Sequence, residues 1–216
     1  MEVNLMNEYE AYLLSFEQEE NPLFTEIERF AEENKIPIME KNGINTFISL
    51  LRIQQPTSIL EIGSAIGYSA IRMVSALKDA SVVTIERDSE RYESALEYIQ
   101  RSGLENRIQL IHADALELND EEFAHRKFDA LFIDAAKGQY KRFFEKYAPF
   151  VQHNGIIYCD NMFMHGAVLL SDEEVPKRNR TMIRKLKEFT EWIMHHPDFD
   201  ASMLPIGDGI LIAKKK

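Results

Sequence analysis

A glycine-containing turn between an apolar segment and a helical pattern constrains the fold of this chain more than any other feature. Residues 57–61 form a short, largely apolar run typical of a buried parallel strand, and the turn Glu61-Ile-Gly-Ser-Ala-Ile-Gly67 follows. Apolar residues then recur at helical spacing over 67–78. A strand that ends in such a turn and opens a helix lets backbone N–H groups approach a ligand closely. The segment therefore predicts an α/β fold with a ligand at this turn.

Strand and helix patterns alternate from residue 57 onward. The strand candidates are 57–61, 82–86, 107–112, 128–133, 155–159, 199–204 and 209–213, and the helix candidates between them are 67–78, 89–102, 138–148 and 179–195. Such alternation predicts a mostly parallel, seven-stranded sheet covered by helices on both faces. The turn-rich segment 205–209 is short enough for a hairpin, so we expect the last strand to be antiparallel.

The first quarter of the chain has a different pattern. Residues 7–54 are predicted to be helical, with breaks near Asn21-Pro22 and Ile36-Pro37. No repeat, low-complexity segment or linker rich in Gly, Pro or Ser divides the chain. We therefore expect one domain over residues 1–216, with a helical N-terminal part over 1–54 and an α/β core over 55–216.

Composition excludes several classes of protein. The 216 residues can bury a sizeable core, and no apolar run reaches the length of a membrane span. The single cysteine, Cys159, has no partner for an internal disulfide and fits a reducing cytoplasm, where we expect the protein to act. The net charge of -11 would repel a polyanion, so any nucleic-acid binding must be local.

The ligand at the glycine turn is predicted from two acidic residues. Glu86 ends the second strand, where its carboxylate could accept hydrogen bonds from ribose hydroxyls. Glu61 would repel a diphosphate but suits the ammonium group of an amino acid. The spacing Glu61-x-Gly63-x3-Gly67 also differs from the Gly-x-Gly-x-x-Gly of dinucleotide sites, and it resembles motif I of the class I S-adenosylmethionine (SAM)-dependent methyltransferases. The alternative is an ordinary turn with incidental glycines.

A second group of polar residues follows two further strands. Asp134 comes directly after the strand 128–133, and Asp160 and Asn161 follow the strand 155–159. Since ligands of open α/β sheets bind beyond the carboxyl ends of the strands, we expect all three near Gly63 and Glu86. Two carboxylates and an amide oxygen are ligands that Mg²⁺ accepts, and they leave coordination positions for substrate or water. The alternative is that these residues only cap the strand ends.

The motifs Glu61-Ile-Gly-x3-Gly-Tyr-Ser69, Phe132-Ile-Asp-x2-Lys137 and Asp160-Asn161 together resemble the cation-dependent O-methyltransferases of the catechol and caffeoyl-CoA type, over about residues 36–213. The resemblance implies a Rossmann-like SAM-methyltransferase fold, a homodimer, SAM as methyl donor and Mg²⁺ or another divalent cation. It implies metal ligation by Asp134, Asp160 and Asn161, and catalysis by Lys137, as general base, with Asp134. The cofactor residues that it implies are Met39, Glu61, Gly63, Tyr68, Ser69, Glu86, Asp114, Ala115 and Asp134.

The acceptor is predicted from a basic segment. Residues 177–187 hold six basic residues and no acidic one. On a helix, Arg180, Arg184 and Lys187 would share one face, where they could contact tRNA phosphates. The alternative is a solvated helix face.

The compact N-terminal part and the segment 38–43 are most similar to the bacterial branch that methylates 5-hydroxyuridine in tRNA to 5-methoxyuridine. We therefore expect a tRNA methyltransferase. The first alternative is an O-methyltransferase acting on a small catechol or hydroxycinnamoyl-type molecule, which the net charge favours. The second is a SAM-binding protein without catalysis, against which the presence of Asp134, Lys137, Asp160 and Asn161 argues.

Overall fold

The computed structural model describes residues 8, 9, 12, 15 and 16 and then the continuous range 21–216. The prediction of helix for residues 7–20 therefore lies largely outside the described residues. No helix in the described part of the chain is long and apolar enough to cross a membrane.

Seven strands form one sheet. They are β1 (Ser58–Ile62), β2 (Ser81–Glu86), β3 (Ile108–His112), β4 (Phe128–Ile133), β5 (Val151–Cys159), β6 (Phe199–Leu204) and β7 (Ile210–Lys215). Their spatial order is β3-β2-β1-β4-β5-β7-β6. The pairs among β1 to β5 are parallel, whereas β7 runs antiparallel to both β5 and β6. The predicted Rossmann-like sheet and its antiparallel last strand are therefore confirmed.

Six α-helices accompany the sheet in the range 21–216. They are α1 (Pro22–Asn34), α2 (Lys41–Gln54), α3 (Tyr68–Ala76), α4 (Ser89–Ser102), α5 (Tyr140–Tyr147) and α6 (Arg180–Met194). Asn21 caps α1, since its side chain accepts a hydrogen bond from the Leu23 amide at 3.0 Å. Lys35 ends α1 in the left-handed region, and α2 starts only at Lys41, so the break predicted at Ile36-Pro37 spans several residues.

Two of the predicted elements differ from the structure. β5 begins at Val151 rather than at 155, because an irregularity in its pairing with β4 lets the strand start earlier. The helix predicted over 138–148 is α5 flanked by single 3₁₀ turns at Lys137–Gln139 and Ala148–Phe150. Pro149 ends α5, because it cannot continue the helical hydrogen bonding.

Both faces of the sheet are covered by apolar clusters. One cluster joins α1, α2 and α3 to the sheet and centres on residues such as Ile27, Phe47 and Ile71. The other joins α5 and α6 to the opposite face through residues such as Phe144 and Phe189. Because both faces are buried, the carboxyl ends of the parallel strands are where polar side chains can gather around a ligand.

Candidate active site

The turn after β1 is held against the neighbouring strands through its backbone. The amides of Gly63 and Ser64 both donate to the Ile85 carbonyl, at 3.0 and 3.2 Å. Gly63 and Gly67 have φ angles of 96° and 83°, in the region that favours glycine. A Cβ at Gly63 would lie 2.3 Å from the Asp134 carbonyl oxygen, so this position requires glycine for space as well as for conformation. The predicted cofactor turn and the predicted metal ligand are therefore in contact.

Glu61 lies inside the protein directly beneath this turn. Its side chain is fully buried and accepts hydrogen bonds from Ser69 Oγ and Thr84 Oγ1, each at 2.5 Å. Burial raises the pKa of Glu61 to about 7, and the two hydroxyl donors only partly oppose that shift. A buried carboxyl group with a raised pKa is stabilised in its ionised form by a cationic group of a ligand. The resemblance implies that this group is the ammonium of SAM.

Glu86 has a carboxylate that organises the loops around it. One of its oxygens accepts from the Ala65 amide at 2.8 Å, and the other accepts from the Arg87 and Asp88 amides, both at 2.9 Å. A carboxylate has about four acceptor positions, so capacity remains for a ribose hydroxyl. Glu86 thus connects the glycine turn to the start of α4 and still matches the predicted ribose contact.

An orphaned hydroxyl in the same turn supports a ligand there. Ser64 Oγ is buried and has no hydrogen-bond partner among the described residues. Buried polar atoms are almost always paired, so such an atom marks a place where a ligand or water completes the structure. Together with Glu61 and Glu86, this hydroxyl fits a polar, cationic nucleoside such as SAM.

The remaining predicted cofactor residues lie in two places. Asp114 and Ala115 follow β3, where Arg87 lies 3.6 Å from Asp114 and the Ala115 carbonyl accepts from Tyr147 at 2.6 Å. Met39 and Tyr68 line a pocket of about 570 Å³ between α1 and the start of α3. The Tyr68 hydroxyl is engaged by Glu28 and by Arg72, so it belongs to the hydrogen bonding of that pocket.

The three predicted metal ligands stand at the ends of adjacent strands. Asp134 follows β4, and its amide donates to the Ile62 carbonyl at 2.9 Å. Asp160 follows β5 and is 3% exposed, and Asn161 has a φ of 55° that turns the chain sharply after it. Burial and the nearby charge of Asp134 raise the pKa of Asp160 to about 7. Two carboxylates forced together in this way fit a site made for a cation.

The composition of this group fits Mg²⁺ in particular. Within the described residues no three His, Cys, Asp or Glu side chains converge closely enough to hold one ion. The side-chain amide oxygen of Asn161 is the third protein ligand that the sequence predicts at this centre, beside the carboxylates of Asp134 and Asp160. Carboxylate and amide oxygens are hard ligands of the kind that Mg²⁺ takes, with water filling its other positions.

Lys137 is placed beside these ligands by the 3₁₀ turn after β4. Its Nζ donates to Asp134 Oδ1 at 3.1 Å, and the two side chains are 20% and 18% exposed. An amino group that is partly shielded and held by a predicted metal ligand is well placed for proton transfer at the same centre. The predicted general base is therefore within reach of the predicted metal site.

The basic segment is arranged differently from the expectation of one open basic face. Ile183, Leu186 and Ile193 are buried, as predicted. Arg180, however, donates to the carbonyls of Val175 and Glu173, at 3.0 and 3.1 Å, and Lys187 donates to the Leu170 carbonyl at 2.8 Å. These two cations fasten the preceding loop to α6, because the carbonyls to which they donate belong to that loop. Arg184 is 63% exposed and lies 3.8 Å from Glu188.

Three contributors to the site were not predicted from the sequence. Thr84 supplies the second hydroxyl to Glu61, and the buried Tyr140 donates to the Asp160 carbonyl at 2.8 Å. Asp208, in the turn between β6 and β7, has a buried oxygen without a partner among the described residues. None of the three carried a signal of its own in the sequence, and Asp208 between two glycines reads as an ordinary turn residue.

Comparisons with known proteins identify the family to which the chain belongs. Residues 14–216 match the family described as O-methyltransferase. A caffeoyl-CoA O-methyltransferase of Populus kitakamiensis is 32% identical over 171 residues, which are 77% of this chain and 73% of the relative. The chain therefore belongs to the O-methyltransferase family, and it is a SAM-dependent O-methyltransferase.

Solved structures agree with that assignment. A Staphylococcus aureus protein provisionally described as a caffeoyl-CoA O-methyltransferase is 32% identical, with a TM-score of 0.88, and the match covers 99% of this chain and 100% of that one. The SAH-bound methyltransferase PaMTH1 of Podospora anserina, at 24% identity and a TM-score of 0.85, shares the fold, over 100% of this chain and 97% of that one.

Proposed function

We propose that this enzyme uses a divalent cation to transfer the methyl group of SAM to the 5-hydroxyl of 5-hydroxyuridine in tRNA, which yields 5-methoxyuridine. The acceptor has two adjacent oxygens, the 5-hydroxyl and the O4 carbonyl, which together can chelate one ion. Asp134, Asp160 and Asn161 would hold that ion. A bound Mg²⁺ would lower the pKa of the acceptor hydroxyl and fix its position.

The chain's own residues account for the remaining requirements. Lys137 would act as the neutral amine and take the proton of the acceptor hydroxyl, and its Nζ lies 3.1 Å from Asp134, one of the proposed ligands. The hydroxyl oxygen would form the new bond to the methyl carbon while the S–CH₃ bond of SAM breaks and SAH leaves. Glu61 would hold the ammonium of SAM, and Glu86 its ribose. Contact between Gly63 and Asp134 supports a short distance between donor and acceptor, which transfer in line with the S–CH₃ bond requires.

The observation that carries the choice of tRNA is the place where α6 begins. Met182, in its first turn, lies 3.8 Å from where a Cβ of Gly138 would stand, so α6 starts directly beside the Lys137 turn. Lys177, Arg178 and Lys185 are exposed around this start. Exposed cations at the mouth of the site would attract and orient a polyanion locally, while the rest of the protein is acidic.

The basic residues at the C-terminus, Lys215 and Lys216, do not belong to this surface. Lys215 donates to the carbonyls of Ala148 and Val151, and Lys216 donates to that of Pro197. Val151 begins β5, so this C-terminal basic group lies at the opposite edge of the sheet. The proposed RNA contacts are therefore Lys177, Arg178 and Lys185, with Arg184 beside them, rather than the Arg180, Arg184 and Lys187 face that the sequence predicts.

A second candidate acceptor is a small molecule with adjacent hydroxyls, such as a catechol or a hydroxycinnamoyl ester. The Populus relative is named for caffeoyl-CoA, whose catechol ring has the same pair of oxygens. The net charge of -11 also favours a small acceptor over a polyanion. The two candidates share the proposed cation, the donor and Lys137 and differ only in what the mouth of the site contacts.

The experiment that tests the proposal is methyl transfer from labelled SAM, with Mg²⁺ and with EDTA. Acceptors are tRNA carrying 5-hydroxyuridine, the same tRNA lacking that hydroxyl, catechol and caffeoyl-CoA. We expect cation-dependent labelling of the hydroxylated tRNA alone. Labelling of catechol or caffeoyl-CoA without tRNA would assign the second candidate, and labelling that persists in EDTA would contradict the role of the cation.

Two triple variants, each of which loses three positive charges, distinguish the loss of RNA contacts from the loss of positive charge in general. Replacing Lys177, Arg178 and Lys185 by Gln should raise the KM for tRNA and flatten its salt dependence by up to about one logarithmic unit per lost phosphate contact. The control replaces Arg52, Lys78 and Lys214 by Gln, since these exposed residues precede β1, precede β2 and end β7 at the opposite edge of the sheet. Equal effects of the two variants would contradict a local RNA surface.

A further inference from the structure

Asp208 is a buried acid that no step of the proposed reaction uses. It lies in the turn between β6 and β7 and is 7% exposed as a residue and 3% exposed in its side chain. Its Oδ1 accepts a hydrogen bond from the His165 amide at 2.5 Å. Its Oδ2 is buried and has no partner in the part of the chain that the structure describes. The protein therefore supplies a hydrogen-bond donor to Oδ1, whereas Oδ2 is left to accept from a group that is not part of the described chain.

The turn that carries Asp208 is built against the chain that follows Asn161. The Met162 amide donates to the Gly209 carbonyl at 3.0 Å, and the Phe163 amide donates to the Asp208 carbonyl at 2.8 Å. A Cβ at Gly209 would stand 2.6 Å from the Phe163 ring, so the two segments are in tight contact. Asp208 is thus fixed beside the segment that presents Asn161.

An unpaired carboxylate oxygen at this depth has a cost that the fold must offset elsewhere. Burying a charged oxygen without a hydrogen-bond donor is among the least favourable arrangements in a protein interior. Asp160 lies two residues before Met162, whose amide donates to the carbonyl of Gly209, the residue after Asp208. A hydrogen-bond donor placed between Asp160 and Asp208 would lower the cost of burying both carboxylates. A water molecule bound to a cation is such a donor.

We propose that Asp208 positions the catalytic cation from its outer shell, with Oδ2 accepting a hydrogen bond from a water molecule on the ion that Asp134, Asp160 and Asn161 hold. Asp134, Asp160 and Asn161 are the inner ligands proposed above, so Asp208 is assigned to the outer shell. The proposal rests on the cation-dependent reaction proposed above and is independent of which acceptor the enzyme uses.

The strong hydration of Mg²⁺ explains why an outer-shell contact can increase the affinity of the site for this ion. Mg²⁺ gives up water reluctantly and usually keeps several water molecules in a protein site. Outer-shell acceptors orient those molecules, and loss of such an acceptor typically weakens metal binding by about 10-fold to 100-fold. Asp208 also adds negative charge beside a site whose inner ligands carry only two carboxylates.

The test is cation binding by Asp208→Asn, measured by calorimetry with Mn²⁺ and with Mg²⁺ on metal-free protein saturated with SAH. Asn keeps the Oδ1 that accepts from His165 and replaces Oδ2 by a group that cannot accept. We expect about 10-fold to 100-fold weaker cation binding, with SAH affinity and the melting temperature in EDTA maintained. The activity of the variant should recover at high Mg²⁺, which a merely misfolded protein would not do.

The matched control is Asp200→Asn, on β6 of the same hairpin, where the acid is 72% exposed and pairs with Lys216. It should bind the cation like the wild type. If Asp208→Asn unfolds, Asp208→Ser provides the same measurement, because its hydroxyl still offers an acceptor to the His165 amide. Wild-type affinity in either folded variant would overturn the role of Asp208 alone. Absence of cation binding in the wild type would overturn this role together with the proposed function.

Discussion

The backbone of Asp134 passes so close to Gly63 that a Cβ on Gly63 would stand 2.3 Å from the Asp134 carbonyl oxygen. Asp134 also donates its amide to Ile62, directly before that glycine, at 2.9 Å. β1 and β4 are neighbours in the sheet, and their ends therefore meet at this contact. The contact joins the turn that is proposed to bind the methyl donor to the first proposed ligand of the cation, so a change in one must move the other.

Gly63→Ala is expected to impair both halves of the site. The new methyl group would collide with backbone rather than with a flexible side chain, and the φ of 96° is unfavourable for alanine. We expect weaker SAH binding in calorimetry and a loss of turnover of about 100-fold, since small displacements of reacting groups have effects of that size.

Gly103→Ala is the control that introduces backbone strain without a collision with neighbouring atoms. Gly103 has a φ of 69° at the end of α4, and nothing lies within 4 Å of where its Cβ would be. We expect a loss of about 1–2 kcal/mol in the free energy of unfolding, with SAH binding and turnover maintained. If Gly63→Ala behaves in the same way, the contact between Gly63 and Asp134 has no functional consequence.

Glu61→Gln is expected to remove a pH dependence of cofactor binding. The pKa of Glu61 is raised to about 7 in the ligand-free protein, and a cationic ammonium favours the ionised form. Binding at lower pH must therefore release a proton, so SAH affinity should fall by up to about tenfold per pH unit as the pH is lowered from about 7.5 to about 5.5.

Calorimetry across this range measures the effect. The Gln variant should bind SAH more weakly than the wild type at the upper end, with a flat pH profile. Glu105→Gln, at an exposed position after α4, should reproduce the wild-type profile. A slope that survives in Glu61→Gln would assign the titration to another group.

Asp160→Asn is expected to stabilise the metal-free protein while abolishing cation-dependent turnover. Burial and Asp134 raise the pKa of Asp160 from 3.8 to about 7. A carboxyl whose pKa is higher in the folded state favours folding fully below its unfolded pKa, and this contribution is lost as the pH rises through about 7. The wild type in EDTA should therefore melt at a lower temperature at pH values above about 7 than below them.

Melting curves of both proteins in EDTA test this directly. The Asn variant should melt higher than the wild type at the alkaline end, and the two should converge as the pH falls. SAH binding should persist in the variant, since Asp160 is assigned to the cation alone. Asp172→Asn, on the exposed loop, should follow the wild type. Equal loss of SAH affinity in Asp160→Asn would contradict the separate roles of the two centres.

Arg180→Ala and Lys187→Ala are expected to impair transfer to any acceptor. Their side chains hold the loop before α6 through the carbonyls of Glu173, Val175 and Leu170. Releasing that loop loosens the segment that leads from Asn161 to α6, so KM should rise for tRNA and for catechol alike. Arg184→Ala is the control, because Arg184 makes no hydrogen bond to a carbonyl in the described chain and should affect tRNA alone. Changes confined to tRNA in all three variants would restore the single basic face expected from the sequence.

Much of this architecture follows from local sequence pattern. The alternation of apolar runs and helical spacing predicted the seven strands and the helices from residue 67 onward, because a parallel sheet buried on both faces requires nearly continuous apolar strands. The turn from Glu61 to Gly67, and the acids at the ends of β2, β4 and β5, were visible because ligand-binding residues of this fold follow strand ends. Hence the family and its predicted site residues could be named before the structure.

The tertiary structure decided what depends on contacts between distant segments. It shows Glu61 paired with Thr84, Gly63 pressed against Asp134, and Asp208 facing the chain after Asn161, none of which has a periodic signal. It also assigns Arg180 and Lys187 to the loop before α6. Sequence alone determined which residues carry charge and which strand ends bear them. Only the folded chain determined which of those charges are already satisfied, because hydrogen bonds and burial depend on neighbours that are far apart along the sequence.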